Sequence, residues 1–151
     1  MKHFIIDGNN LIGRTKILNQ LLKKDKQQSR ERLAFILSRY FSKRKATVSL
    51  HFDGFENEKI NVPGIKIKYS QSLSADEKIK REIESVKNPG NIILITSDLN
   101  LLEFGRVCSC HILKSEEFAK LILSSESSDE EQNKIDEINS TDEFRRLFGI
   151  K

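Results

Sequence analysis

The stretch FIIDGNNLIG, from Phe4 to Gly13, decides the fold, because an apolar run in it ends abruptly on a carboxylate. The segment HFII, His3 to Ile6, is short, apolar and followed by a turn, which is typical of a buried strand. Asp7 and Gly8 end this strand. Two later strands end in the same way, and this recurrence indicates what the aspartate is for.

Four further segments have the character of strands. The segment ATVSLHFD (46–53) is β-branched and alternating, and it ends on Asp53 before a glycine. The segment NIILITSD (91–98) is the most apolar, so we predict that it is central in the sheet. The segments IKIKYS (65–70) and VCSCHIL (107–113) complete a set of five predicted strands.

Helical segments separate most of these strands. Residues 14–45 are predicted to be helical, in one or two pieces, and apolar residues from Leu33 to Phe41 recur at helical spacing. Ser74 and Glu77 form a capping box that starts a second helical region. Ser115 caps a last helix over 116–123. Strands alternating with helices predict an α/β sandwich with a mostly parallel sheet, although the short connection 53–65 leaves the direction of the strand at 65–70 open.

Length and composition favour one globular domain with a genuine core. The chain has 151 residues, and its longest apolar stretch is too short to span a membrane, so we expect no membrane partner. Two closely spaced cysteines fit reduced thiols of a cytoplasmic protein. Residues 1–123 are predicted to form the domain. Residues 124–151 are predicted to form an acidic, serine-rich linker and a short C-terminal helix with Phe144, Leu147 and Phe148.

The charge is split along the chain. Residues 14–45 contain 11 Lys/Arg and two acidic residues, a net charge of +9, whereas residues 116–143 have a net charge of −8. A basic segment favours a polyanionic partner, nucleic acid first, although a solvated helical surface explains composition alone equally well. The basic residues that we expect to contact RNA phosphates are Arg14, Arg30, Arg32, Lys43, Lys66 and Lys68.

Three predicted strands end on an aspartate. In a parallel sheet the carboxyl ends of the strands share one edge, so Asp7, Asp53 and Asp98 are expected to meet there. Asp76 joins them if the helix capped by Ser74 starts at that edge. Two carboxylates ~4 Å apart repel by about 4 kcal/mol at an effective dielectric of 20. A hard divalent cation with oxygen ligands removes that repulsion, and the reaction class it suggests is metal-assisted phosphodiester hydrolysis.

Each of these aspartates also has an ordinary structural explanation. An Asp-Gly pair after a strand is usually a turn, and an acid in the first turn of a helix interacts favourably with the helix dipole. The three histidines lie in predicted strands, where packing or local hydrogen bonding accounts for them. Three strand-end aspartates together with an aligned helix start are harder to explain by chance than any one of them.

Five segments in order, FIIDGNN, VSLHFDG, SLSADEKI, ILITSD and SCHILKSEEF, resemble the YacP-like branch of the NYN domains. The resemblance runs from about Phe4 to Ile122. It implies a three-layer α/β/α Rossmann-like fold of the PIN-like type. It also implies a cytoplasmic endoribonuclease that depends on Mg²⁺ or Mn²⁺ and cleaves single-stranded RNA. Some members are linked to translating ribosomes, so mRNA at the ribosome is a setting that the resemblance implies.

The family's acidic cluster falls on Asp7, Asp76 and Asp98 of this chain, and Asp53 occupies a position where related nucleases place a metal-site acid. Asn10 matches the asparagine after the first strand, and we expect it and Ser97 to support the site. The chain departs from the family at Asn9, usually a tyrosine, and at Leu99, often polar or arginine. Neither departure removes a carboxylate, so substrate preference is affected more than activity.

The sequence therefore predicts a metal-dependent endoribonuclease. One alternative is an inactive relative that binds RNA, against which the retention of every acidic position argues. A second is a receiver-type signalling domain, which also clusters aspartates around Mg²⁺ at strand ends. That fold has an acidic pair after its first strand, whereas this chain has Asp7 followed by Gly8.

Overall fold

A computed structural model gives the fold, and it describes residues 1–131, with side chains as far as residue 124. The predicted C-terminal helix lies outside the described residues. The five strands are β1 (Lys2–Asp7), β2 (Ala46–Phe52), β3 (Lys66–Tyr69), β4 (Ile92–Ile95) and β5 (His111–Leu113). The helices are α1 (Gly8–Gly13), α2 (Lys16–Lys24), α3 (Lys26–Phe41), α4 (Ala75–Ser85), α5 (Leu99–Val107) and α6 (Ser115–Glu131).

The five strands form one sheet in the order β3-β2-β1-β4-β5, and every neighbouring pair is parallel. The predicted α/β class is therefore confirmed. The direction that the sequence left open is also settled, because β3 pairs with β2 in parallel from Lys66 opposite Ser49 to Tyr69 opposite Phe52. Central β1 is bonded on both sides, to β2 and to β4, and its residues from Phe4 to Asp7 are buried.

Helices cover both faces of the sheet and produce three layers. On one face, Phe4 of β1 contacts Phe41 of α3 and Phe118 of α6, with ring centroids 4.8 and 6.3 Å apart. On the other face, Ile5 of β1 belongs to a separate apolar cluster with Ile79 of α4, in which Leu101 of α5 also takes part. Successive residues of β1 thus serve opposite faces, as the period of a strand requires.

Several predicted elements have the expected local chemistry. The Ser74 side chain accepts a hydrogen bond from the Glu77 amide at 3.1 Å and caps α4, as predicted. The predicted apolar face of α3, which consists of Leu33, Ile36, Leu37, Tyr40 and Phe41, is buried, and this confirms the amphipathic pattern. Asp25 caps the start of α3 by accepting from the Gln28 amide.

Several elements differ from the predictions by more than one residue. The predicted helical region forms two helices, α2 and α3, as expected, whereas α1, which follows Asp7 directly, was not predicted. Helix α5 was not foreseen; it includes Val107, and Ser109 then adopts a positive φ of 71°, so β5 is shorter than predicted. Strand β4 ends at Ile95, and α6 continues to Glu131 instead of ending at residue 123.

A polar cluster lies between α4 and the sheet. The Glu82 carboxylate is hydrogen-bonded to the ring nitrogens Nε2 of His3 (2.7 Å) and His51 (2.8 Å), and it accepts from Lys68 Nζ (2.9 Å). Burial raises the pKa of Glu82, but these hydrogen bonds outweigh it and hold the pKa well below its usual range. One side chain thus joins α4 to three strands, and His3 and His51 each bond to a residue that is distant in the sequence.

In the described part of the chain, no helix combines the length and the apolarity that a membrane span requires.

Gly8 allows the close approach of α1 to β2. A Cβ atom at this position would lie 2.6 Å from the His51 carbonyl oxygen and 2.7 Å from the Phe52 ring. We expect Gly8→Ala to lower the free energy of unfolding by about 1–3 kcal/mol, because a backbone atom cannot move aside cheaply. Urea denaturation followed by circular dichroism measures the change.

Gly13→Ala is the matched control for this substitution. It lies in the same short helix, and a Cβ atom there would have no neighbour within 4 Å. We expect it to leave the stability unchanged or to raise it by about 0.4–1 kcal/mol. Equal effects of the two substitutions would contradict the steric role of Gly8.

Candidate active site

The carboxyl ends of three adjacent strands bring three aspartates to one edge of the sheet. Asp7 is the last residue of β1, Asp53 follows the end of β2, and Asp98 stands three residues beyond the end of β4. In the register of the sheet, Asp7 pairs with His51, and the preceding residue of β1 pairs with Ile95, the last residue of β4. The strand ends therefore coincide, as the parallel arrangement requires.

Asp7 is the innermost of these acids and is only 9 % exposed. Its Oδ2 atom accepts a hydrogen bond from Thr96 Oγ1 at 3.0 Å. Burial raises the pKa of Asp7 from 3.8 to about 6, against the opposing effect of the hydrogen bonds from Thr96 and the Asn10 backbone. The charges of Asp53 and Asp98 raise this pKa further, so the three carboxylates interact electrostatically.

Asp53 brings the start of α4 to this edge. Its Oδ1 atom accepts a hydrogen bond from the amide of Ala75, the first residue of α4, at 2.7 Å. Asp76 is the next residue, so the fourth predicted acid stands in the helical turn that contacts Asp53. Its carboxylate forms an ion pair with Lys80 at 3.1 Å. Asp76 therefore lies at the same edge, with its charge paired along its own helix.

Thr96 links Asp98 to Asp7. The Asp98 amide donates to Thr96 Oγ1 at 3.1 Å, and the same hydroxyl donates to Asp7. The Asp98 side chain caps α5 by accepting from the Leu101 amide at 3.0 Å. Sequence reasoning missed Thr96, although a hydroxyl residue at the end of an apolar strand, next to Ser97 and Asp98, is a usable signal.

Asn10 and Ser97, the predicted supporting residues, connect distant segments at this edge. Asn10 Oδ1 accepts from the Ser97 amide at 2.9 Å and from Ser115 Oγ at 2.7 Å. Ser97 Oγ accepts from the Ser115 amide at 3.0 Å. Asn9, a departure from the family pattern, accepts from the Asp53 amide at 2.9 Å. The two asparagines thus hold the loops after β2 and β4 on either side of Asp7.

Glu116 is a further acid at this edge that sequence reasoning did not assign to the site. Its carboxylate accepts a hydrogen bond from Ser97 Oγ. This bond lowers the pKa of Glu116, and the positive charges of Arg14 and Lys114 contribute in the same direction. In the sequence it resembles an ordinary first-turn acid of α6. The signal was its position after β5, at the end of a further parallel strand.

The donor set fits a hard divalent cation in its chemistry, because carboxylate oxygens accumulate at this edge and a buried one repels its neighbours. Asp53 and Asp98 each commit one oxygen to a backbone amide. Across the part of the chain that the structure describes, no three His, Cys, Asp or Glu side chains stand close enough to hold a metal ion together. Oxygen chemistry and charge therefore suit Mg²⁺ or Mn²⁺, whereas the present side-chain positions do not form a closed ligand sphere.

The basic residues predicted to contact RNA belong to several elements, and the prediction for Arg30 was wrong. Arg30 is 2 % exposed. Its guanidinium donates to the carbonyl oxygens of Asp53 (2.6 Å) and Phe55 (3.1 Å) and lies over the rings of Phe52 and Tyr69. Helical spacing explains the burial, because Arg30 precedes the buried Leu33 by three residues. It is a structural residue of the loop after β2.

The other five basic residues are exposed. Arg14 lies at the carboxyl edge, where its charge acts on Glu116. Arg32 and Lys43 belong to the exposed side of α3 and the turn after it, and Lys66 and Lys68 belong to the edge strand β3. Lys68 is already paired with Glu82.

Comparisons with known proteins agree with this architecture. The family model described as the YacP-like NYN domain matches residues 4–147. A crystal structure of Rae1 (YacP) from Bacillus subtilis superimposes with a TM-score of 0.71 at 23% identity, over 97% of this chain and 87% of that one. A tryptophan-to-leucine mutant of the same protein gives a TM-score of 0.72 at 20% identity, over 85% and 79% of the two chains. No curated protein matches the sequence significantly.

The burial of Asp7 makes a prediction about stability in the absence of metal. The pKa of Asp7 is higher in the folded state than in the unfolded state, so its ionisation destabilises the fold progressively as pH rises from about 4 to about 6. Asp7→Asn removes this cost and retains an acceptor for Thr96. We expect the free energy of unfolding in EDTA at pH 7.5 to rise by roughly 1–3 kcal/mol, and the gain to vanish near pH 4.

Asp98→Asn is the control for this measurement. Asp98 is exposed, and asparagine caps a helix about as well as aspartate, so we expect a smaller gain. Urea denaturation at both pH values decides the outcome. A gain for Asp7→Asn that is equally large at pH 4 would contradict an electrostatic origin.

Proposed function

The chain belongs to the YacP-like NYN domain family, a family of PIN-like nucleases, and on this basis we propose that it is a metal-dependent endoribonuclease of single-stranded RNA. The observation that carries the proposal is the geometry of Asp7, Asp53 and Asp98 at the carboxyl edge, where Thr96 bonds to both Asp7 and Asp98 and Asp53 bonds to the start of α4. A buried carboxylate beside two others is costly unless a cation or a proton neutralises it. The proposed substrate is cytoplasmic mRNA at the ribosome, which is the setting that the family resemblance implies.

The proposed roles follow from the contacts of each residue. Asp7, Asp53 and Asp98 would hold Mg²⁺ or Mn²⁺, with Asp76 added from the first turn of α4. Stabilisation of the charge that develops on the phosphate, and activation of a bound water molecule, are the chemistry that such a cation supplies when bound. Thr96 fixes the orientation of the Asp7 carboxylate through its hydroxyl. Asn9 and Asn10 hold the two flanking loops in position.

The strand order favours this proposal over a receiver-type signalling domain. Receiver domains follow the order 2-1-3-4-5, whereas this sheet follows 3-2-1-4-5. An inactive RNA-binding relative shares the fold, so only an activity measurement separates it from a nuclease. The acids at the edge favour the active enzyme, because RNA binding alone gives no use for carboxylates that repel phosphate.

Cleavage of labelled RNA tests the proposed activity. We expect the purified chain to cut a closed circular single-stranded RNA, which exonucleases cannot attack, in Mg²⁺ or Mn²⁺ but not in EDTA. Asp7→Asn and Asp98→Asn should each reduce the rate by roughly 100-fold or more, because each removes a metal-site oxygen.

Glu103→Gln is the matched control, since Glu103 is an exposed acid of α5 that pairs with Arg106 on the surface. It should cleave at the rate of the unchanged protein. Full cleavage by the Asp7→Asn and Asp98→Asn proteins would exclude the proposed mechanism, and RNA binding without cleavage would identify an inactive relative.

The exposed basic side chains of the α3 region generate a separate prediction about affinity. Replacing Arg32 and Lys43 by glutamate should weaken binding of single-stranded RNA and lower the slope of log affinity against log salt by about 1.4, because each phosphate contact contributes about 0.7. Fluorescence anisotropy of the Asp98→Asn protein in EDTA measures binding without cleavage.

A variant with the same charge change, Lys87→Glu with Arg106→Glu, is the control for net charge. Both residues are exposed. Lys87 lies after the end of α4, and Arg106 lies in the last turn of α5. If the two double variants lose affinity equally, the effect is one of overall charge, and α3 contributes only a solvated surface.

A further inference from the structure

Two large apolar side chains are exposed directly beside the acids. Phe55, two residues after Asp53, is 65 % exposed, and Leu99, the residue after Asp98, is 76 % exposed. Phe55 lies in the loop after β2, and Leu99 is the first residue of α5, which follows β4; β2 and β4 are the strands on either side of β1. One exposed apolar residue therefore follows the strand on each side of β1, the strand that ends on Asp7. A single exposed apolar residue needs no explanation, but two that flank a charged site are better explained by a ligand with apolar faces.

The backbone around Phe55 is held far more firmly than that of an ordinary surface loop. The Gly54 amide donates to Ser70 Oγ at 2.9 Å, and the Gly54 carbonyl accepts from the Gln71 amide at 2.7 Å. Arg30 donates to the carbonyl oxygens on both sides, those of Asp53 and Phe55. Each of these contacts fixes the main chain, and the phenyl ring remains outside the core.

Arg30 is a buried charge whose contacts stabilise this loop. A guanidinium that is 2 % exposed has lost most of its hydration, and its Nε atom has no hydrogen-bond partner. Burying such a charge is unfavourable unless its contacts compensate. The contacts that it makes, two carbonyl oxygens and the rings of Phe52 and Tyr69, all fix the segment that presents Asp53 and Phe55.

We propose that Phe55 is a nucleobase-stacking subsite, which places an unpaired base next to the phosphodiester at the acids. This inference rests on the proposed function and adds to it the part of the RNA that is recognised. An aromatic ring stacks on any base, so the subsite is tolerant of sequence. It requires a base that is free of its helical neighbours, so it selects single strands over duplexes. Leu99 provides a smaller apolar contact on the opposite side.

The test combines a protein change with an RNA change. The cleavage position in a short single-stranded RNA is mapped first, and abasic nucleotides are then introduced one at a time around it. We expect Phe55→Ala to lower kcat/KM by about 5- to 100-fold, the usual effect of losing one stacked base. One abasic position should lower the rate of the unchanged protein by a similar factor and have no further effect on Phe55→Ala. Phe55→Trp should restore the rate.

Binding in EDTA gives a second readout that needs no cleavage. The base analogue 2-aminopurine, placed at the nucleotide identified by the abasic series or at each position in turn, should lose fluorescence on binding to the unchanged protein and not to Phe55→Ala. Val107→Ala is the control, because Val107 is also an exposed apolar residue but lies at the far end of α5. Circular dichroism verifies that each variant is folded.

The outcomes separate the two proposals. If the unchanged protein cuts no RNA, the proposed nuclease function fails, and the fluorescence change still decides whether Phe55 stacks a base. If the protein cuts RNA and Phe55→Ala cuts equally well, the subsite alone is excluded. Additive losses from Phe55→Ala and the abasic position would also exclude it, and would leave Phe55 as a contact for a protein partner.

Discussion

The parallel pairing of β1 with a neighbour on each side is the constraint on which the rest of the structure depends. Both neighbours run in the same direction as β1, so the chain must cross the sheet between strands, and helices form most of these crossings. The carboxyl ends of all the strands then lie at one edge of the sheet. Residues that are about 90 positions apart, such as Asp7 and Thr96, become neighbours there. The raised pKa of Asp7 is the electrostatic consequence of placing a carboxylate at the end of a strand that is buried on both sides.

Each residue of the motif Asp7-Gly8-Asn9-Asn10 has a distinct role at this edge. Asp7 supplies the central carboxylate, and Gly8 permits the approach of α1 to β2. Asn9 holds the backbone of the loop after β2, and Asn10 holds that of the loop after β4. The geometry at the edge is therefore set by side chains that bond to main-chain groups, because a loop has no strand or helix partner to fix it.

Sequence reasoning succeeded where a local pattern determines structure. The strand pattern of β2, the helix cap at Ser74 and the three strand-end aspartates each depend on residues close together in the chain, and the structure has them at or near the expected places. It failed where the partner is distant. Arg30 was predicted to contact RNA, because no local pattern indicates that its guanidinium lies over the rings of Phe52 and Tyr69, more than 20 residues away. Glu82 and its histidines likewise meet only through the tertiary fold, and the direction of β3 depended on pairing that no local signal encodes.

The hydrogen bonds of Asn10 also bear on the order in which parts of the structure form. Its side-chain oxygen accepts hydrogen bonds from the Ser97 amide and the Ser115 hydroxyl, which are 87 and 105 residues further along the chain. Contacts over such separations form late, since a long segment must be ordered before they close. During synthesis the amino-terminal strand emerges first, yet the edge that it will complete cannot assemble until residue 115 has followed it. A chain interrupted before that point has most of its core residues but lacks the contacts of Ser115, so the core can form before this edge is complete.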